Sequence, residues 1–519
     1  MSDVVELRRP VAAVRWRGLS LSLCLSLAFA AATLGLHLAT AGHYGYQRDE
    51  LYFLACARHL AWGYVDQPPV IVLAARLTTM LLGTSLFALR LLPALAAAAT
   101  VILTGRLAAR LGGGLTAQGF AMLAVFFAPF YLAVGDWLTM NAFEPLFWLL
   151  TAYLVIEVLD EPQPWQWGAL GATVALGVLT KYTVGFFALS LFVALLATPQ
   201  RRILRSRGFW LAIALTLLLC APNLWWQQSH GWPQIELLRG AVVSKDPHLS
   251  IIDFFLSQIL MVHPLTFPLW VAGLVFFFRS AGGRYRLFTL SYLLLFCVYV
   301  TLHAKVYYLA PIYAILFAGG AVCLQDASNV RPMMRRAYAV SLVLVGLLIL
   351  PQVVPLLPIP AFLAYQRVID LRTVKEENHA PGRVPQQWAD MLGWDGLVAR
   401  IAADYAALPP AQRARAAIWT QNYGEAGAVD LLGRAYNLPF AISGHNNYYL
   451  WGTQGYDGSV VLAIGLPPAL ERAEFRRIRH LGVFTDPLLM PYQNNVAIDL
   501  CTQPIEPLAR FWPRAKSYW

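Results

Sequence analysis

Two acidic stretches near the N-terminus have the residue types for proton transfer. The first reads Arg48-Asp49-Glu50-Leu51-Tyr52. The second, beginning seventeen residues after Asp49, reads Asp66-Gln67-Pro68-Pro69. A carboxylate held beside a substrate hydroxyl acts as a general base. Two carboxylates brought together can instead hold a divalent ion or align a nucleophile. The structural alternative is that Asp49 caps a helix starting at Glu50, while Asp66 precedes a helix opened by the prolines. Adjacent residues on a helix point about 100° apart. Asp49 and Glu50 therefore cannot serve the same role, so one faces a site and the other holds it in place. Further along stand Asp136, Lys181-Tyr182, His263 and Lys305-Val306-Tyr307-Tyr308. A fixed cation such as Lys181 or Lys305 suits an anionic phosphate, although a lysine at a span end also snorkels to the interface. The tyrosines form an aromatic belt or line a lipid path.

The elements that position these groups lie in a membrane. The chain has 519 residues, 58% hydrophobic and 13% charged, against roughly 25% charged in soluble proteins. That balance excludes a soluble surface, and the wealth of apolar residues excludes disorder. Apolar stretches predict a polytopic α-helical membrane protein of about eleven spans: 19–41, 86–108, 114–134, 139–159, 166–180, 182–199, 209–226, 255–278, 287–302, 306–324 and 337–359. Net charge is +11, which positive loops facing the cytoplasm explain. Arg8, Arg9, Arg15 and Arg17 put the N-terminus inside. With eleven spans the later clusters Arg106/Arg110, Arg201–Arg207, Arg279–Arg286 and Arg331–Arg336 fall on that same side. The start also resembles a signal peptide with Ala28-Phe29-Ala30; a retained anchor is the expectation. Cys24, Cys56, Cys220, Cys297, Cys323 and Cys501 show no metal-ligand spacing and no disulfide framework.

This topology sends 42–85, Asp136, Lys181, Lys305 and everything after about 360 to the outer face. Residues 1–359 form the transmembrane domain, with the acidic motifs in the outer loop 42–85. Residues 360–519 read as a soluble α/β domain. Strands are expected at 416–420, 440–443, 460–464, 481–485 and 496–500, and a helix over 424–436. Two segments following these strands, Gln421 to Gly427 and Ser443 to Gly452, mix polar groups with aromatics, which suits a sugar ring; ordinary turn chemistry is the alternative. Glu425, His445, Asn446 and Trp451 are the exploratory acceptor-binding residues.

The strings Arg48-Asp49-Glu50-Leu51-Tyr52 and Asp66-Gln67-Pro68-Pro69, with Gly135-Asp136, Leu179-Thr180-Lys181 and Lys305-Val306-Tyr307-Tyr308, resemble the GT-C class of integral-membrane glycosyltransferases. They are most similar to the bacterial branch of the dolichyl-phosphate-mannose protein mannosyltransferase superfamily, which includes the aminoarabinose transferases that modify lipid A. The resemblance spans roughly residues 20–325. It implies a polyprenyl-phosphate-linked sugar donor and a lipid, glycan or protein acceptor at the outer face of the bacterial inner membrane. It implies Asp49 as general base and Glu50 as a supporting carboxylate. Lys181, Lys305, Tyr307, Tyr308 and Arg48 become donor-phosphate contacts, while Asp66, Asp136 and Gln67 are supporting or metal candidates. Relatives carry Lys or His near Gln67, so a divalent metal ion is a candidate cofactor whose ligand set here is incomplete; no other cofactor is expected.

The chemistry agrees with such a donor. Attack at an anomeric carbon passes through an oxocarbenium-like state, and one carboxylate on the acceptor side suffices for inversion. A lipid phosphate leaves without a proton donor and needs cations to stabilise its charge. The rival readings are a polyprenyl-phosphate-sugar transporter or flippase and a non-catalytic glycan-binding membrane protein. Transporters place ionisable groups at the midplane, often within repeated halves. Here the acidic residues gather toward one face, and no repeat is evident.

Overall fold

A computed structural model describes residues 16–244, 249–279, 284–369 and 379–518. Arg8, Arg9 and Arg15, used above for orientation, lie outside them. The apolar helices are α1 (Trp16–Thr40), α4 (Leu86–Arg110), α5 (Leu115–Phe127), α6 (Pro129–Val134), α7 (Met140–Asp160), α8 (Pro164–Val178), α9 (Thr183–Leu196), α10 (Arg207–Ser229), α12 (Ile251–Met261), α13 (Phe267–Arg279), α14 (Arg286–Thr301), α15 (Tyr313–Asp326) and α16 (Pro332–Val353). Two shorter helices, α2 (Arg48–Cys56) and α3 (Pro69–Leu82), occupy the loop after α1, and α11 (Pro233–Ser244) follows α10.

Each expected apolar stretch is helical, but not each is one straight helix. Six helices among the described residues are long and apolar enough to cross a membrane, or up to eight if each bent pair is one span. The stretch 114–134 breaks at Ala128, which is extended because Pro129 follows it. The stretch 255–278 is corrected to two segments meeting at 100°. His263 at the corner has φ 79°, and Pro264 starts the next turn. The run 166–199 turns at Thr180 to Tyr182, so Lys181 sits in the connection.

Beyond α16 come α17 (Ile359–Ile369), α18 (Gln386–Ala389), α19 (Trp394–Ala406), α20 (Pro410–Arg413), α21 (Tyr423–Leu432) and α22 (Asn447–Trp451), with strands β1 (Ala416–Thr420), β2 (Ile442–Ser443), β3 (Val460–Ile464), β4 (Phe475–Phe484) and β5 (Val496–Pro504). The sheet order is β2-β1-β3-β5-β4. Strands β2, β1 and β3 run parallel; β5 is antiparallel to β3 and to β4. β1 and β3 are buried along their whole length, as the unbroken apolar runs require of a parallel sheet covered on both faces. β4 begins six residues earlier than expected (475 against 481), because Arg476, Arg477 and Arg479 hide a strand whose outer face meets water.

The two halves share a core. Leu51, Phe53, Leu54 and Cys56 of α2 pack with Ile418 of β1, Ala426 and Val429 of α21, Ile464 and Ile498. Close approach is possible because α21 carries glycines against α2. A Cβ on Gly424 would lie 2.5 Å from Arg48 Cγ, and one on Gly427 would lie 2.8 Å from the Leu51 backbone.

What aims α2 is a buried ion pair. Gln47, not Asp49, caps the helix: its side chain accepts from the Asp49 amide, and the Glu50 carboxylate accepts from the Gln47 amide, a capping box. Glu50 also accepts from Arg90 Nη2 of α4 at 3.1 Å and from the Leu138 amide at 2.9 Å. Arg90 Nε also donates to Glu50, at 3.3 Å, while Nη1 donates to the carbonyls of Ala41 and His43 and Nη2 to that of Gly45. Both side chains are at most 1% exposed. Removing one partner of such a pair strands a charge, at about 3–5 kcal/mol. Arg90→Leu is therefore expected to lower the melting temperature of the detergent-purified chain steeply, and Glu50→Gln, which keeps hydrogen-bonding capacity, to lower it less. Equal, small shifts for the two variants would show that the pair anchors nothing.

Candidate functional site

Because Glu50 turns inward, Asp49 turns the other way. Its carboxylate lines a cavity of about 300 Å³ together with Arg48, Lys305, Tyr307, Asn141 and Gln352. Pro129, Phe130, Trp137, Gln386, Gln387 and Asp390 complete the wall. Asp49 is about one-third exposed, with 30% of its side chain accessible. It accepts a hydrogen bond from Tyr423 Oη at 2.9 Å. Arg48 Nε stands 4.0 Å from Asp49 Oδ1, and its Nη1 stands 3.7 Å from Asp390 Oδ1.

Tyr423, the first residue of α21, is the functional neighbour that sequence reasoning missed. Its ring is clamped between Tyr52, centroids 4.5 Å apart, and His445, 4.9 Å apart. Burial pushes its hydroxyl well above the usual phenol range, so it remains a donor. Tyr52, stacked on it, donates to Asp66 Oδ1 at 2.8 Å. Two stacked phenols thus serve two different carboxylates. Nothing in local spacing announces Tyr423, since it meets Asp49 only across 374 positions of chain.

Asp66 is held behind Asp49. The Gln67 amide nitrogen, oriented to face acceptors, donates to both Asp66 oxygens at 2.7 and 3.0 Å. Burial, opposed by the Tyr52 hydrogen bond and reinforced by the charge of Asp49, raises its carboxyl to about 7. Gln67 is fully buried and faces Asp66.

Several expected site residues lie elsewhere. Glu50, expected as a supporting carboxylate at the catalytic motif, stands outside the cavity as an anchor, since Arg90 and two backbone amides occupy its oxygens. Asp136 is corrected likewise: it pairs with His37 of α1 at 2.8 Å, both almost wholly buried, and does not line the cavity. Lys181 does not present a free ammonium to the cavity. It donates to Glu144 Oε2 at 2.8 Å and Asn141 Oδ1 at 2.6 Å, under the rings of Tyr307 and Tyr308, 5.0 and 4.6 Å away. Glu144, fully buried within α7 and also bonded by Thr183, was not anticipated. The signal was available: a carboxylate inside an apolar span demands a cation.

A second cavity, of about 410 Å³, opens at the carboxyl ends of β1 and β3. Gln421, Glu425, His445 and Tyr492 line it, and Arg48 lines both cavities. Glu425 accepts from the Gln421 and Asn422 amides at 3.0 and 3.3 Å, and burial raises it to about 7. Asn446 and Trp451 do not line this cavity. Asn446 is buried beside Asp66, and Trp451 stacks on His59 at 4.4 Å.

Among the described residues no group of three or more His, Cys, Asp or Glu side chains could hold a metal ion. The Asp49 and Asp66 carboxylates each accept from a phenol, Tyr423 and Tyr52 respectively.

A family model described as dolichyl-phosphate-mannose-protein mannosyltransferase matches residues 66–226. The lipid A galacturonosyltransferase RgtD of Rhizobium johnstonii is 26% identical over 253 residues, 46% of this chain and 50% of that protein; the chain thus aligns with about half the length of this curated relative. Two solved structures of ArnT from Cupriavidus metallidurans are also similar. The one bound to undecaprenyl phosphate has a TM-score of 0.58 at 14% identity, covering 94% of this chain and 98% of that one. The apo structure has a TM-score of 0.55 at 15% identity, covering 93% and 97%. The resemblance to GT-C glycosyltransferases drawn from the motifs is shown by these findings together, and the chain has a GT-C-like fold.

The raised carboxyls fix a pH dependence. A folded chain that binds protons more tightly than the unfolded one is most stable at low pH and loses that contribution as pH rises. For Asp66 and Glu425 the loss runs from their ordinary values of 3.8 and 4.5 up to about 7. The melting temperature is expected to fall between about pH 4 and about pH 7, and Asp66→Asn with Glu425→Gln to flatten that fall. A double variant with the wild-type slope would contradict it.

Proposed function

We propose that this GT-C-like chain transfers a sugar from a polyprenyl phosphate to an acceptor hydroxyl, with inversion, at the outer face of a bacterial inner membrane. The observation that carries this reading is that Asp49 and Lys305 line one cavity. The acceptor hydroxyl gives its proton to Asp49, and its oxygen forms a bond to the anomeric carbon. The bond from that carbon to the phosphate oxygen breaks, and the electron pair leaves with the lipid phosphate, whose charge Lys305 and Arg48 stabilise. Tyr423 holds the base toward the cavity. The N-terminus lies in the cytoplasm; residues 1–359 form the transmembrane domain and 360–519 an outer domain.

The relatives extend the proposal. ArnT was solved with undecaprenyl phosphate, so an isoprenoid phosphate is the proposed carrier. RgtD is named for lipid A, so among lipid, glycan and protein acceptors a lipid is favoured. The second cavity, which meets the first at Arg48, is the proposed acceptor approach, with Glu425 and His445 on its wall.

Mass spectrometry of outer-face glycolipids and glycoproteins from cells with and without the chain identifies the product. Asp49→Asn is expected to reproduce the loss of product while its amount in the membrane stays normal. Full product from that variant would remove Asp49 from the mechanism. Tyr423→Phe keeps the stacked ring and loses a hydrogen bond to a charged group, worth about tenfold in turnover or more. A wild-type rate in Tyr423→Phe would show that the phenol serves packing alone.

A further inference from the structure

One polar side chain on the cavity wall is left with nothing to bond. Gln352 lies in the last turn of α16, a helix whose Leu344, Leu347 and Leu348 are exposed as lipid-facing residues should be. A glutamine at such a position would ordinarily reach out to water. This one is 5% exposed and lines the cavity that holds Asp49 and Lys305. Among the described residues neither its Nε2 nor its Oε1 has a hydrogen-bond partner, an arrangement that native proteins seldom leave unexplained. The turn is braced in place, because Gln387 Nε2 donates to the Gln352 carbonyl at 3.1 Å.

Neighbouring amides on the wall are engaged. Gln47 caps α2 through the Asp49 amide, Asn141 accepts from Lys181, and Gln387 holds the Gln352 backbone. Gln352 is thus a donor and an acceptor set side by side, a match for two hydroxyls of one ring.

The charges on the wall narrow the ring further. Arg48 stands between Asp49 and Asp390, and Asp390 also accepts from Gln493 at 3.1 Å. With Lys305 facing a phosphate, a sugar carboxylate would bring one more anion beside two carboxylates.

We propose that Gln352 reads the donor sugar, and that this sugar is a hydroxylated ring rather than a uronic acid. The proposal rests on the cavity being the donor site and not on Asp49 being the base. It is tested by binding to the full-length chain in nanodiscs. The ligands are undecaprenyl phosphate and its glucosyl, galactosyl, mannosyl, galacturonosyl and aminoarabinosyl derivatives. A derivative other than the galacturonosyl one is expected to bind about tenfold or more tightly than undecaprenyl phosphate alone. Gln352→Leu and Gln352→Met are each expected to abolish that gain while leaving the affinity for the bare lipid unchanged. The proposal is overturned if only the galacturonosyl derivative shows the gain, if no derivative does, if the gain survives both substitutions, or if both weaken the bare lipid equally. Transfer that persists in Asp49→Asn sinks the base assignment and leaves the binding result standing.

Discussion

The buried pair between Glu50 and Arg90 is the constraint from which the site follows. Two neighbouring carboxylates on one helix must diverge, and the one that finds a cation in the interior decides where the other points. Glu50 is joined to Arg90 of α4, to the Leu138 amide before α7 and to the amide that opens α2; Arg90 ties in the chain leaving α1. Four segments therefore meet at one ion pair. A buried pair is a weak source of net stability, since its desolvation cost is large. Its value here is directional. It fixes the rotation of α2 and leaves Asp49 the residue that must face the cavity.

The same helix joins the membrane half to the sheet. Glycines at 424 and 427 let α21 lie directly on α2, and Arg58 reaches across to Asp430, which Tyr448 also contacts. At the far end Lys516 pairs with Glu236 of α11. The outcome is that Tyr423, a residue of the C-terminal half, bonds a carboxylate of the N-terminal half. A carboxylate restrained by a phenol from a separate element keeps its orientation only while the two halves stay docked, so docking and the aim of Asp49 are coupled through one hydrogen bond.

Much of this was legible in the sequence. Apolar runs gave the helices, Val460 to Ile464 and its neighbours gave the buried strands, and the divergence of Asp49 and Glu50 followed from helix geometry alone. What escaped was set by contacts between distant residues. Hydropathy alone did not resolve the corner at His263, because a sharp bend leaves composition unchanged. β4 was shortened by its arginines, which mark an exposed strand face as readily as a loop. Asp136 read as a site residue because its partner, His37, sits 99 positions away inside an apparently uniform span. Tyr423 and Gln352 have no local signature at all; a tyrosine at a helix start and a glutamine at a span end are ordinary until their neighbours are known.

Lys181 shows how an expected ligand can serve from one step behind. Its ammonium is neutralised by Glu144 and sits beneath the rings of Tyr307 and Tyr308, which follow Lys305 by two and three residues. A cation under an aromatic face is worth about 0.5–2 kcal/mol, more when desolvated. Two such contacts from one buried lysine pin the short turn Val306–Ile312 against α7 and the α8–α9 connection. Tyr307 and Lys305 line the cavity from that turn. The buried lysine thus fixes the backbone that carries the second lysine, and the Glu144 carboxylate that holds it keeps its own charge from adding to the field inside the cavity.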